Sequence, residues 1–231
     1  MSEFRHEYKY VCSLDGMEYI KSSVSALMEL DNYAKEQGEY TVRSVYFDDY
    51  KDSFYYDNMY GVDPREKFRI RIYNADDSKI TLELKQKQRG KTRKLSCPLT
   101  KELCEEIIHG EIPDISAVNS ALYRKFCAQL QMRGLSPKVI VEYDRIPYVY
   151  EDGNVRITFD RNIRSSIQCE DFLEKDVFFR PVMEINKHLI EVKFDEFLPD
   201  FIDNMVSHEG LRQNSFSKYF LCRKYSLGGN K

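Results

Sequence analysis

Lys67-Phe68-Arg69-Ile70-Arg71-Ile72-Tyr73 and, soon after it, Ile80-Thr81-Leu82-Glu83-Leu84-Lys85-Gln86-Lys87 alternate charged and apolar side chains. Successive side chains of a strand point to opposite faces, so Arg69 and Arg71 share one face while Phe68, Ile70 and Ile72 share the other. In the second segment Leu82 and Leu84 take the apolar face, and Glu83, Lys85 and Lys87 take the charged one. A turn at residues 74–78 joins the two segments as a hairpin. One charged strand face is ordinarily the wet side of a sheet. The pattern becomes informative because it recurs along the chain.

Working outward, residues 4–11 place Arg5, Glu7 and Lys9 on one face and Phe4, His6, Tyr8 and Tyr10 on the other. Asp15 with Glu18 has the form of a capping box, and Met17, Ile20, Val24, Leu27 and Met28 follow at helical spacing. Residues 40–48 are rich in β-branched and aromatic side chains and read as a strand, followed by an aromatic excursion over 53–61. Phe54, Tyr55 and Tyr56 read there as packing rather than as a base-stacking platform. After a turn at 88–90, residues 91–98 form a third strand. Lys94 and Ser96 have one parity there, and Arg93, Leu95 and Cys97 the other. Basic residues sit on both, so alternation leaves the inward face open. Helical patterns over 99–109 and 115–132 each end in a glycine, Gly110 and Gly134.

The second half repeats the β pattern. Residues 138–150 and 155–161 flank the turn signal Glu151-Asp152-Gly153-Asn154. Tyr143 shares a face with Arg145, and Arg156 with Thr158 and Asp160. Residues 162–175 are polar and read as a loop or lid. Segments 182–186 and 189–195 read as another strand pair, with Glu191, Lys193 and Asp195 opposite Ile190, Val192 and Phe194. A helix is expected over 197–208, and a last helix or strand over 215–225.

Composition narrows the classes. The 231 residues, 42% hydrophobic and 13% aromatic, are enough for one domain spanning 1–231 with a sizeable core. Thirty-five basic and 38 acidic residues leave a net charge of −3, which is no coat for nucleic acid or a membrane surface. Any anion site must therefore be local. Six scattered cysteines read as reduced core thiols of a cytoplasmic protein, and four histidines lack zinc spacing. His6, on the apolar parity, reads as a core histidine. No segment reads as a membrane span or an apolar targeting core. With no GxxxxGK loop and no GxGxxG turn, phosphates would have to be held by side chains.

Roughly eight segments alternate in this way, and the interleaved amphipathic helices need the apolar face to cover. If the sheet closes, the charged faces meet inside it. Lys9, Arg69, Arg71, Lys85, Lys94, Arg145, Arg156 and Lys193 would then repel one another unless an anion lay between them. Phosphate is well matched to such groups through charge-assisted hydrogen bonds. Glu7, Glu83 and Glu191 would suit a divalent metal, or would simply balance neighbouring cations. An open sheet whose surface charges pair among themselves satisfies the alternation equally well.

Taken in order, Arg5-His6-Glu7-Tyr8-Lys9-Tyr10, Ser44-Val45-Tyr46-Phe47-Asp48, Lys67 to Arg71, Leu82-Glu83-Leu84-Lys85, Tyr143-Asp144-Arg145, Leu189 to Lys193 and Phe216-Ser217-Lys218-Tyr219 cover nearly the whole chain. Together they resemble the VTC domain, the polyphosphate polymerase branch of the triphosphate tunnel metalloenzymes. The resemblance implies an α+β fold: an eight-stranded antiparallel β-barrel, the triphosphate tunnel, with helices packed outside. It implies transfer of the γ-phosphate of ATP to a polyphosphate chain with a divalent metal, manganese or magnesium. Lys9, Arg69, Arg71, Lys85, Arg145 and Lys218 would grip the reacting phosphates, with Lys94, Tyr143 and Ser217 as further phosphate ligands and Glu191 on the metal. Arg156 and Lys193 are added on parity alone.

The wider superfamily often begins Glu-x-Glu-x-Lys, and here Arg5 stands at the first acidic position. Losing that carboxylate weakens two-metal hydrolysis and favours the polymerase branch. A tripolyphosphate or nucleoside-triphosphate hydrolase and a non-catalytic polyphosphate-binding module remain the alternatives. The implied partners are ATP and polyphosphate or pyrophosphate, with no nucleic acid and no direct membrane insertion. Membrane coupling, if any, would come through a separate membrane protein at the inner face. Lys87, Arg89 and Lys91, beside a turn, read as solvated charges.

Overall fold

A computed structural model describes residues 3–207 and 211–228. The first strand, β1 (His6–Ser13), leads into α1 (Leu14–Leu27), the short β2 (Glu29–Leu30), β3 (Tyr40–Asp48) and α2 (Ser53–Met59). A meander of β4 (Arg65–Tyr73), β5 (Asp76–Gln88) and β6 (Lys91–Leu99) follows, then α3 (Lys101–Ile108) and α4 (Ala121–Arg133). The long pair β7 (Ser136–Tyr150) and β8 (Val155–Ser166), the short β9 (Arg180–Pro181), β10 (Lys187–Phe194), α5 (Asp200–Ser207) and α6 (Lys218–Ser226) complete it.

Eight strands form one antiparallel path, β1-β10-β8-β7-β3-β4-β5-β6, and off it the short β2 pairs with β7 and β9 with β8. The hairpins are tight. Asn74-Ala75 joins β4 to β5 and Arg89-Gly90 joins β5 to β6, and all four residues have φ between 49° and 78°. Two consecutive left-handed residues give the turn whose twist matches its strands. The sheet curls until its edges meet, where Arg5 and Thr92 exchange two backbone hydrogen bonds of 2.8 Å. Beyond that bridge β6 no longer reaches β1. There residues 213 and 214 take over the free edge, through a Tyr10–Gln213 bridge and the Asn214 amide donating to the Lys9 carbonyl at 2.8 Å.

Register carries each parity around the curl. Phe68, Ile70, Ile72, Leu82 and Leu84 point outward into a core shared with Ile107 of α3 and Phe126 of α4, whose ring lies 5.1 Å from Phe47 and 5.2 Å from Phe68. On the opposite wall Ile157, Phe159, Ile190 and Val192 pack under Met17, Ile20 and Val24 of α1 and Ile202 and Val206 of α5. The helices therefore cover the outside of the tunnel, as amphipathic elements must. All six cysteines are free and buried.

Several local expectations change. The cap of α1 is Ser13, whose hydroxyl accepts from the Gly16 amide at 3.2 Å, so Asp15 lies in the first turn and there is no Asp15–Glu18 box. Residues 115–120 are not helical, because α4 starts only after its own cap, Ser120. The loop expected at 162–175 begins as strand, since β8 runs to Ser166. The strand expected at 182–186 is absent: only Arg180–Pro181 pairs with β8, and a turn closed by the Lys187 amide donating to the Glu184 carbonyl follows. The segment at 215–225 is helical from Lys218. His208, the expected end of the helix before it, lies outside the described residues.

Candidate active site

The inward parity encloses a cavity of about 710 Å³ lined by fifteen lysines and arginines, four glutamates and no aspartate. The whole chain is net negative, so the fold has sorted charge by face. All twelve residues singled out as phosphate or metal ligands line this one cavity. The strand register that brings them together is simple. Lys9 lies opposite Glu191, Glu191 opposite Thr158, Tyr46 opposite Arg69, and Arg69 opposite Glu83.

Four carboxylates knit most of these cations together. Glu83 meets Arg69 Nη2 at 2.6 Å, Lys94 at 2.9 Å and Arg71 at 3.7 Å. Glu7 takes Lys85 at 2.7 Å, with Lys193 at 3.5 Å and Lys9 at 3.6 Å. Glu191 accepts from Lys218 at 2.8 Å and has Lys193 and Arg145 at 3.4 Å and Lys9 at 3.6 Å. Asp160 holds Arg145 through two 2.7 Å bonds and Lys218 at 2.6 Å. Such two-pronged pairing fixes the guanidinium plane.

Tyrosines complete the walls. Arg69 donates to the Tyr46 hydroxyl at 2.7 Å, Arg71 to Ser44 at 3.0 Å and to Tyr143 at 3.3 Å, and Arg156 to Tyr40 at 3.2 Å. Lys218 Nζ lies 4.6 Å from the Tyr143 ring centroid. It reaches the cavity because α6 enters one mouth with its first turn, capped by the Ser217 hydroxyl. Lys9 also donates to the Phe216 carbonyl at 2.9 Å, which ties that turn to β1.

Electrostatics follow from this crowding. Burial pushes the Glu191 carboxyl up, but Lys218, Lys9, Lys193 and Arg145 together hold it well below the usual carboxylate range. Glu7 and Glu83 are driven well down in the same way, against burial, Glu7 mainly by Lys85 and Glu83 mainly by Arg69. For Lys85 burial outweighs the attraction of Glu7 and, with repulsion from Lys9 and Lys193, brings the ammonium down to about 7.

Among the described residues no three ligating side chains come together as a metal cage. Glu191 and Glu7 nonetheless flank Lys9, each 3.6 Å from its ammonium. A hard divalent cation commonly binds through one or two carboxylates and completes its shell with phosphate oxygens and water. This donor set fits a metal that arrives with phosphate.

Sequence reasoning missed Lys67, which has the parity of Arg69 and Arg71, and set Lys87 aside as solvated although it lines the cavity. It also passed over Asp160 as a partner of Arg145. Parity was the available signal for all three. Arg5 sits at the seam, where its side chain pairs with Asp195 at 2.6 Å. His6 stacks on Phe194 at 4.8 Å.

Comparison with known proteins follows the same lines. The sequence matches the VTC domain family over residues 4–227. No curated protein sequence matches it. Among solved structures it is similar to a candidate adenylate cyclase of Bacillus halodurans, with a TM-score of 0.57 at 14% identity over 94% of this chain and 95% of that one. It is also similar to a candidate adenylyl cyclase of Hippeastrum with a dominant triphosphatase activity, with a TM-score of 0.58 at 13% identity over 97% and 96%. At such identity the likeness shows a common fold.

Proposed function

The chain belongs to the VTC domain family, whose members handle triphosphate and polyphosphate, and we propose that residues 1–231 act as one tunnel domain that transfers the γ-phosphate of ATP to a growing polyphosphate chain. The observation that carries this reading is the cavity itself, fifteen cations against four glutamates in a net-negative protein. Glu83 and Asp160 behind the lining offset part of this charge, and a polyanion is the guest that complements the remainder.

Phosphoryl transfer requires in-line positioning and stabilisation of charge on the transferring oxygens. Arg69 and Arg71 offer donors from β4, Tyr143 and Arg145 from β7, Lys9 from β1 and Lys218 from the start of α6. Asp160 holds Arg145 and Lys218 in place, so these donors need little reorganisation when phosphate enters. Lys85, Lys94, Lys193, Arg156 and Ser217 extend the grip along the tunnel. Glu191, with Glu7 beside it, would hold a divalent ion, manganese or magnesium, which supplies further neutralisation of the triphosphate. The attacking oxygen of pyrophosphate or of a chain end bonds to the γ-phosphorus as its bond to the ADP oxygen breaks.

That nucleophile is already anionic near neutral pH, since phosphate monoanions lose their next proton near pH 6. Hydrolysis would instead need a base to take a proton from water. The buried Glu7 and Glu191 are held ionised well below the usual range, which makes them weak bases. This supports chain growth over triphosphate hydrolysis. Among the described residues no helix is long and apolar enough to cross a membrane, and a separate membrane protein is the partner proposed for any coupling to export.

The test is incubation with ATP, manganese and a trace of pyrophosphate, followed by a polyphosphate-staining gel and a free-phosphate assay. Long anionic chains with ADP are expected. Orthophosphate without chains would make the protein a hydrolase, and tight polyphosphate binding without either product would make it a binding module.

A further inference from the structure

Asp48 ends β3 fully buried and behind the tunnel lining, out of reach of a phosphate or a metal in the cavity. A carboxylate enclosed in this way is costly unless its oxygens are engaged. Its Oδ1 accepts the amides of Asp49 and Phe54 and its Oδ2 that of Tyr55, each at 2.9 Å, which fastens the start of α2. Local capping needs only these three bonds. A fourth comes from 171 residues away, where the Tyr219 hydroxyl donates to Oδ2 at 2.5 Å. Burial and the neighbouring carboxylate raise the Tyr219 phenol far above its ordinary value, so it stays a donor.

Tyr219 follows Lys218 in the first turn of α6. Neighbours on a helix lie about 100° apart around its axis, so fixing the tyrosine fixes the direction in which the lysine leaves. Lys218 then meets Asp160 at 2.6 Å and Glu191 at 2.8 Å. A second tie keeps the helix from rolling. Arg223, one turn on from Tyr219, donates to Asp52 at 2.7 and 3.0 Å. The other side-chain ties to this turn come from Lys9, on the Phe216 carbonyl, and Lys67, on the Ser217 hydroxyl. Both lysines line the cavity, where an entering polyanion competes for them. Asp48 gives up nothing to phosphate.

Resting on the tunnel reading above, we propose that Asp48 is a positioning residue: through the Tyr219 hydroxyl it keeps Lys218 aimed at the phosphates when a polyanion draws Lys9 and Lys67 away from that turn. In the empty tunnel Asp160 and Glu191 also hold the lysine. In the loaded tunnel phosphate competes for its ammonium as well, and the backbone that carries it depends on the buried anchor.

The test uses Tyr219→Phe, which retains the ring packed on Tyr46 and removes only the hydroxyl, with tripolyphosphate as the probe and calorimetry as the readout. Affinity should fall about tenfold, the scale of one hydrogen bond to a charged group. Each cation on phosphate adds about one to the slope of log affinity against log salt. That slope should shallow by up to about one in Tyr219→Phe, although the substitution removes no charge. A hydroxyl that only stabilises the fold would weaken the protein in urea and leave affinity and slope unchanged, which would overturn the proposal. In a Lys218→Gln background the same substitution should change affinity by less than about twofold, because the route to phosphate is already cut. A tenfold loss in both backgrounds would mean that Asp48 acts through another group, and would overturn it too. Should Lys218→Gln not fold, the salt slope of Tyr219→Phe decides alone. Failure to make polyphosphate from ATP would overturn the polymerase reading and leave this comparison intact, since it needs only tripolyphosphate binding. A wild-type chain that binds no tripolyphosphate would overturn both.

Discussion

A lysine near neutrality inside a basic tunnel links phosphate binding to pH. Lys85 sits at about 7 because burial outweighs Glu7 and two lysines repel it, whereas in the unfolded chain it would lie near 10.4. Between these values the ligand-free folded protein holds fewer protons than the unfolded one, so this group makes the ligand-free protein more stable as pH rises through that window. A bound polyanion acts in the opposite sense. It favours the ammonium and raises its pKa, so affinity is full below about 7 and falls as pH rises above it. Calorimetry at pH 8 in two buffers of different ionisation enthalpy should show net proton uptake on tripolyphosphate binding, reduced in Lys85→Arg. An uptake unchanged by that substitution would remove Lys85 from the site. Glu191 separates binding from chemistry, because it touches four cations and is the proposed metal ligand. Glu191→Gln should lower turnover by about a hundredfold or more, the scale of losing a charge-stabilising group, while polyphosphate affinity holds or rises in the same preparation.

At the scale of elements, the turn between β7 and β8 depends on a single glycine. Gly153 has φ +73°, and a Cβ there would stand 2.6 Å from the Phe197 carbonyl oxygen. Gly153→Ala combines left-handed strain with a backbone clash, so a loss of about 1–3 kcal/mol is expected in urea unfolding. The turn itself is legible in Glu151-Asp152-Gly153-Asn154, and so are the strands on either side, because period-two alternation with one buried face leaves little choice of register. Residues 182–186 show where this fails. Val182-Met183-Glu184-Ile185 has the apolar composition of a strand, yet Ile185 is 92% exposed and Asn186 adopts φ +65°. Composition reports what a segment could bury, and only the neighbouring strand decides whether it does. Lys67 teaches the same lesson in reverse. Its inward parity was visible beside Arg69, but its neutral partners Asn58 and Ser217 are brought to it by α2 and by the distant segment before α6. The reach of Lys218 into the tunnel from α6 likewise could not come from periodicity, and was available only through the family resemblance.

For the molecule as a whole, the tunnel without a guest is a store of repulsion that ligand binding relieves. Its cations are only partly offset, and breaking a buried ion pair by removing one partner typically costs about 3–5 kcal/mol, because the remaining charge is left alone. Substituting Glu83, which serves three cations, should therefore lower the melting temperature of the ligand-free protein, and a bound polyanion should recover much of that deficit by supplying the missing negative charge. The wild-type protein should show the same effect on a smaller scale. A ligand at a hundred times its dissociation constant adds about 2.7 kcal/mol of stability, and in a domain of this size each kcal/mol raises the melting temperature by roughly 2–4 °C. Saturating tripolyphosphate should thus raise it by roughly 5–11 °C. The rise should shrink in Arg71→Ala, which deletes one wall's donor to the triphosphate, and in high salt, which screens the exposed mouth more than the buried centre. A melting temperature indifferent to tripolyphosphate would mean that the cations satisfy one another without a guest, and the charged lining would then be the inside of a self-compensated sheet.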